Sequence, residues 1–454
     1  MASLLPTDTA LTFEGLTAPL RVGRCLGGGS QGQVYAVELE GEPLALKWYL
    51  PAFLARDPGL QTRLEESIRR GAPNEDFLWP LALLRPDAAS RGQLGTAGRG
   101  FGYLMPLRPA ACVGAAEHAA GRIRISLQTV LRAAFFLAAG FHDLHSLGFC
   151  YKDVSLGNLF LNPASGDIRI GDNDNVDVIG STSGAVLGTW GFMAPEVALG
   201  QARPDVTTDL FSLAALLFQL LTRHDPFRGS LELAIPCLDL PGRRRLYAED
   251  PVFVFDPRDT RNRPDPHEHV AALITWPLYP RRLQRLFEET FGPGLRDPAR
   301  RTLTGEWKQK LAAVLDHRRL CPHCGEENLD DETPPLAARC WRCRRPLPEA
   351  PTLTLPNGRV TMAEGNRIQA HHLDPLRPED LRRPVAEVVA HPSREGLLGL
   401  RHLGGPAWRV ERADGRGFEV LPGETCSLAM DALLHTGAGP LRIGDHLPRP
   451  RTVP

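Results

Sequence analysis

Residues 151–161 read YKDVSLGNLFL, and within them Asp153 and Asn158 stand five apart in a loop-like stretch. That spacing lets a carboxylate receive the proton of a substrate hydroxyl while an amide binds a metal ion. Fourteen residues beyond Asn158, Asp172 follows the β-type run of IRIGD. A strand there would hold its carboxylate over phosphates and Mg2+. Far upstream, residues 26–35 read LGGGSQGQVY, with Gly27, Gly29 and Gly32 spaced so that backbone N–H groups can approach phosphates with no Cβ in the way. Lys47, at the end of Ala45-Leu46-Lys47, can neutralise α- and β-phosphate charge if a carboxylate orients it. A second constellation lies near the C-terminus. Cys321, Cys324, Cys340 and Cys343 form C-x2-C-x15-C-x2-C, two turns that can point four thiolates at one ion.

These residues need elements to position them. The glycines sit between two β-type segments, 20–25 and 33–39, and QVYAVELEGEPLALKWYL alternates like a hairpin. A dinucleotide-binding turn would need a helix after the glycines, so it is set aside. An ordinary hairpin turn remains the alternative. LQTRLEESIRRG is a helical pattern offering Glu66, and next to it Glu65, as the partner of Lys47; both also suit a solvated helix face. An apolar helix over 126–146, broken by Gly148, leads into the Asp153 loop. LGTWGFMAPE follows, with Thr189 and Ala194-Pro195-Glu196, and then TTDLFSLAALLFQLLTRHDPF predicts a buried helix starting near Asp209. Arg301 is placed to pair with Glu196. Residues 85–100, RPDAASRGQLGTAGRG, read as a mobile β–β connection, and the Pro-rich stretch 346–356 as a linker.

The 454 residues are 43% hydrophobic, enough for two to four domains at roughly 100–200 residues each. Lys and Arg number 52 against 53 Asp and Glu, which gives no electrostatic case for nucleic acid as the main partner. The start, MASLLPTDTALTFEG, lacks a basic region before an apolar run, so no signal peptide is expected. The longest apolar stretches, near 130–140 and 210–221, fall far short of the ~20 residues of a membrane span and read as buried helices. Nine cysteines, four in tight pairs and five scattered, suit one metal site and buried thiols in a reducing cytosol. A cytoplasmic location without membrane partners is the expectation.

The Gly-rich loop, the strand Lys, the Asp-x4-Asn loop, the metal Asp, the Ala-Pro-Glu triplet and the Asp-led apolar helix occur in order and at matching separations. In this the chain resembles the protein kinase superfamily, over about residues 15–315. The resemblance implies an α+β, bilobal domain over 1–315, with a β-rich N-lobe over about 15–105 and a helical C-lobe over about 108–315. It implies ATP in the cleft between them, against Gly27, Gly29, Gly32, Val34 and Lys47 and a hinge near Met105 and Leu107. It further implies Mg2+ (or Mn2+) on Asn158, Asp172 and Asp174, catalysis by Asp153 with Lys47 and Glu66, and protein substrates.

Three departures stand out. Tyr151-Lys152-Asp153 replaces His-Arg-Asp, Ser155 replaces a Lys two positions after the catalytic Asp, and Asp172-Asn173-Asp174 replaces Asp-Phe-Gly. The lost Lys removes a positive charge from the transferring phosphoryl group. Lys152 keeps a cation on the loop, and Asp174 adds a carboxylate near the metal, unless it is a solvated turn residue. Both are expected to offset Ser155. Together with PVFVFDPRDTRNRP over 251–264, these departures resemble a bacterial kinase group often associated with stress-response and tellurite-resistance gene sets.

The cysteine quartet fills all four places of a tetrahedral shell, so residues 316–350 read as a structural zinc ribbon, with a rubredoxin-like iron site as alternative. His323 reads as a loop residue rather than a ligand. Without metal so polar a segment should unfold. Residues 351–454 carry short β-type runs about ten apart, at 386–390, 408–411 and 417–421, and predict an all-β, sandwich-like module with Trp408 in its core. They loosely resemble forkhead-associated domains, which implies a phosphoprotein partner, with Arg359 and Arg367 as candidates; a plain docking or structural sandwich is the alternative. The tail PRPRTVP reads as disordered. Two functional readings follow: a Ser/Thr-type protein kinase using ATP, Mg2+ and Zn2+, or a nucleotide-binding pseudokinase scaffold that recruits partners through its C-terminal module.

Overall fold

A computed structural model describes residues 3–180, 188–330 and 338–443, except 349, 395, 413, 429–431 and 437–439. The chain is a mixed α+β protein whose contacts divide into two compact units. The first comprises residues 1–125, 136–272 and 287–304; the second comprises 126–135, 273–286 and 305–454. These limits differ from those expected at 315 and 350. The cysteine-paired segment and the C-terminal strands fall in one unit, together with two stretches from earlier in the chain. The tail PRPRTVP lies outside the described residues.

The first unit begins with six antiparallel strands: β1 (Thr9–Leu11), β2 (Leu20–Gly28), β3 (Gly32–Leu39), β4 (Glu42–Tyr49), β5 (Ala82–Leu84) and β6 (Gly102–Pro106), in the order β1-β2-β3-β4-β6-β5. Side chains alternate along a strand. Leu46 and Trp48 of β4 therefore join one apolar core with Leu20, Val22 and Tyr35. Ala45 and Tyr49 join another with Leu60, Leu64, Tyr103 and Met105. Lys47 lies between Ala45 and Tyr49 in this alternation, so it faces the second core.

Residues 85–100 are not a loose connection. Asp87 caps the helix Ala88–Leu94 by accepting from the Ser90 N–H, and Leu94 and Ala97 are buried in the first core. The Asp at the N-cap satisfies an otherwise orphaned helix donor, which a reading of Gly and Ser content overlooks. Further on come the helix Leu127–Ser146 and the buried helix Val206–Thr222. The latter starts three residues before Asp209, because Asp205 and Thr208 form a reciprocal capping box.

In the second unit, two four-stranded antiparallel sheets share one core. Ile368, Ala386, Val388, Leu400 and Cys426 come from one sheet, and Trp408, Val410, Val420, Ala432 and Leu434 from the other. Trp408 is a core residue, as expected, and stacks on His402. The stretch 346–356 is no free linker. Leu347 is buried beside Cys321 and Cys340, and Thr352–Leu355 is a strand paired with Gly358–Thr361. Among the described residues no helix is long and apolar enough to cross a membrane.

Candidate active site and metal centre

β2 and β3 meet through the glycine-rich turn. A Cβ at Gly27 or Gly29 would meet nothing within 4 Å, so the outer face of the turn is open. Gly32 differs: a Cβ there would collide with the Trp48 carbonyl, so its glycine serves strand packing rather than ligand approach. Val34, Met105 and Leu107 pack with Ala45, Leu78 and Phe160 around one apolar cluster, and the structure brings these three predicted residues together.

The Lys47 ammonium donates to Asp172 Oδ1 at 2.5 Å, Asp174 Oδ2 at 2.7 Å and Gln31 Oε1 at 2.8 Å. Gln31, on the glycine-rich turn, and Tyr49, which donates to Asp174 Oδ2 at 2.5 Å, were not singled out in the sequence. Glu66 is not brought to Lys47. Its carboxylate is clasped by Arg69 and Arg70 one helical turn on, at 2.6 Å each, and Glu65 accepts from Gln61. The reason is helical phase: Leu60, Arg63, Leu64 and Ser67 take the buried face of Leu60–Arg70.

The two carboxylates on Lys47 differ. Asp172 takes a left-handed backbone (φ 58°), which Asp tolerates better than most residues, and keeps 31% of its side chain exposed. Burial, with the Asp174 charge adding and the Lys47 ammonium opposing, pushes it up to about 6. Asp174 is fully buried. Burial alone would raise it too, but Lys47 and the Tyr49 hydroxyl hold it below the usual carboxylate range. Asp174 is thus neither a solvated turn residue nor turned outward toward a metal.

Asp209, buried in the first turn of Val206–Thr222, accepts the backbone N–H groups of Tyr151 at 2.6 Å and Lys152 at 3.1 Å. These bonds fix the loop that carries Asp153 and Asn158. The loop is also tied to the strand before Asp172, because the Gly171 N–H donates to the Asn158 carbonyl at 2.8 Å. The Asn158 amide donates to the Asp153 carbonyl at 3.1 Å, and the Thr189 hydroxyl donates to Asp153 Oδ1 at 2.8 Å. Lys152 does not offset Ser155. Its ammonium lies 2.7 Å from Asp177 Oδ2 in a buried pair. Turning it outward would leave Asp177 as an uncompensated buried charge.

Arg301 pairs with Glu196 as anticipated. Its fully buried guanidinium makes a two-pronged contact at 2.7 and 2.9 Å and also donates to the carbonyls of Gly294 and Thr207. Removing one partner of such a pair strands the other charge. Arg301→Ala should therefore cost about 3–5 kcal/mol of stability in a denaturant melt. A loss under about 1 kcal/mol would contradict this.

In the second unit, the Cys321, Cys324, Cys340 and Cys343 sulfurs all lie within 4.8 Å of one another. Cys321 and Cys343 are 3.6 Å apart, and Cys324 and Cys340 3.7 Å. A tetrahedral four-sulfur zinc site has edges of about 3.8 Å, so the donor set fits. Gly325 and Arg344 each follow a Cys pair with left-handed φ (71° and 61°) and bond back to Cys321 and Cys340, which makes the two turns equivalent. The phosphate-recognition candidates fare differently: Arg367 pairs with Glu387 and Arg359 donates to Thr352.

Residues 115–277 match the protein kinase domain family model. A DNA damage-responsive serine/threonine-protein kinase of Deinococcus radiodurans, RqkA, is 33% identical over 195 residues, 41% of this chain and 26% of that relative. The serine/threonine-protein kinase PknJ of Mycobacterium tuberculosis is 29% identical over 239 residues, 50% of this chain and 37% of the relative. This chain therefore spans well under half the length of these relatives. Residues 115–277 carry a protein kinase domain, and the relatives they resemble are serine/threonine-protein kinases.

Proposed function

We propose that the chain transfers the γ-phosphoryl group of ATP to Ser or Thr hydroxyls of protein substrates. The observation that carries this is the Thr189–Asp153 hydrogen bond: a side-chain hydroxyl already donates to the carboxylate that would receive a substrate proton. In the reaction the hydroxyl oxygen bonds to the γ-phosphorus, the bond to the ADP oxygen breaks, and the hydroxyl proton passes to Asp153. Lys47 would face the α- and β-phosphates, with Gly27 and Gly29 admitting the backbone beside them. Val34, Met105 and Leu107 would line the adenine slot. Asp172 and Asn158 would hold Mg2+, which neutralises charge on the phosphates when bound. Zn2+ would sit in the cysteine quartet as a structural ion.

Lys47→Ala should weaken Mg2+-ATP binding or turnover at least tenfold, about 1.4 kcal/mol, by calorimetric titration or transfer assay. Unchanged affinity together with unchanged turnover would remove the assignment. The D. radiodurans relative's description as DNA damage-responsive supports placing this kinase in stress signalling. A second reading, a nucleotide-binding scaffold, is favoured by Ser155 and by Lys152 being committed to Asp177. Nucleotide binding without transfer would select it. A phosphoprotein partner for the C-terminal sheets rests on the forkhead-associated resemblance, and a peptide array with no phospho-dependent hit would remove it.

A further inference from the structure

We propose that Asp174 is the positioning residue for Lys47, in the place expected for a carboxylate on the helix Leu60–Arg70. The inference rests on the nucleotide-site reading above and identifies what holds its lysine. The helix has no acid to offer on its buried face. Its inward residues are Leu60, Arg63, Leu64 and Ser67, and the only charge among them is positive. Arg63 is nearly buried and bound to Asp57 at 2.5 and 2.9 Å. Glu66, the acid expected to serve, is saturated by Arg69 and Arg70.

The anion comes instead from the far side of the cleft. Asp174 lies two residues past Asp172, with no exposed side-chain surface, and one of its oxygens is gripped by both Lys47 and Tyr49. Lys47 and Tyr49 are two apart on β4 and so point to the same side, which makes the grip a property of the strand itself. Asp172 also touches Lys47, but its partial exposure leaves it free to turn toward a metal. Asp174 has no such freedom, because its carboxylate has no exposed surface and leaving Lys47 and Tyr49 would strand its buried charge. The exchange is reciprocal: the helix contributes a buried cation, Arg63, and the Asp-Asn-Asp segment contributes the buried anion. A carboxylate at 174 is then required, and one at 66 is not.

The test is a double-mutant cycle read by Mg2+-ATP affinity, using the full chain. Asp174→Asn keeps the shape and a hydrogen-bond acceptor for Tyr49 while removing the charge. It should weaken nucleotide binding at least tenfold. In a Lys47→Ala background the same change should have no further effect, because there is no ammonium left to position. A merely structural role would lower affinity equally in both backgrounds. Glu66→Gln should leave affinity unchanged. Should Asp174→Asn fail to fold, Tyr49→Phe loosens the same carboxylate more gently and should weaken binding severalfold in wild type and not in Lys47→Ala. Multiplying losses, an Asp174→Asn affinity within twofold of wild type, or an equal loss in Glu66→Gln would overturn the proposal. Absence of transfer by a wild type that binds nucleotide would fell the kinase reading and leave this cycle readable.

Discussion

Protein purified without added metal should carry one zinc per chain, and a Cys324→Ser, Cys343→Ser double variant should carry none. The ribbon's own apolar core is small, with Leu347 packed beside Cys321 and Cys340. Burying one such side chain stabilises by about 1.5–3 kcal/mol, whereas a structural zinc supplies on the order of 10–16 kcal/mol to small domains at neutral pH. A zinc bound there would outweigh the core in holding the segment. The consequences should spread within the second unit. Arg318 pairs with Glu327 at 2.6 Å across the ribbon's first hairpin and donates to Asn366, whose amide returns to the Arg318 carbonyl at 2.7 Å. Chelation should thus open both the ribbon and the turn around Asn366 to a protease. Nucleotide binding should survive, since every residue assigned to that site lies in the first unit. Metal analysis with limited proteolysis checks this. A stoichiometry near zero in the wild type, or undiminished metal in the double variant, would contradict it.

Asp153→Ala should lower phosphoryl transfer on the order of 10²–10⁴-fold, the range for a positioned acid–base group. The starting rate should itself be slow. Ser155 leaves the transferring group without one cation, and the two residues available to replace it are both committed, Lys152 to Asp177 and Asp174 to Lys47. Phosphoryl transfer depends mainly on positioning and charge neutralisation, so this deficit should slow the reaction without abolishing it. The loop itself is firmly held: Asp209 accepts two of its backbone N–H groups, and Gly171 ties it to the segment bearing Asp172. Rates under saturating ATP, with ATP affinity measured separately, distinguish loss of the base from loss of binding. A drop under tenfold with unchanged affinity would remove Asp153 from the chemistry.

Most of the first unit was legible because its signals are local. Strand alternation fixes the side to which Lys47 points, and in the second unit cysteines paired three apart mark the two turns that gather the sulfurs. Spacing alone points to Glu66, and helical phase points away from it. Leu60 and Leu64 already mark the buried stripe of that helix, and extending it by one turn puts Ser67 inward and both glutamates outward. The helix after Asp87 was also readable, from an N-cap Asp with Ser three residues on, but Gly, Ser and Arg content obscured it. Asp174 had no local signal at all. Its meaning depends on Lys47, 127 residues earlier, and only the folded sheet brings the two together. The same holds for Lys152, whose partner Asp177 could equally have been a loop carboxylate. Nor did composition reveal that the ribbon and the C-terminal sheets share a unit, because the Arg318–Asn366 contact joins them through single polar side chains.

Phosphoryl transfer by this chain is tested most directly by comparing wild type, Asp153→Ala and Asp172→Ala in a radiolabelled ATP transfer assay. It reads a generic protein substrate and autophosphorylation together, across a Mg2+ and Mn2+ series. Slow, metal-dependent transfer to Ser or Thr is expected from the wild type, with a loss on the order of 10²–10⁴-fold in Asp153→Ala and at least as large a loss in Asp172→Ala, which would remove a metal ligand. Equal signals from all three proteins would trace the activity to a contaminant. No signal from any of them, with ATP still bound, would rule out a kinase and leave a nucleotide-binding scaffold.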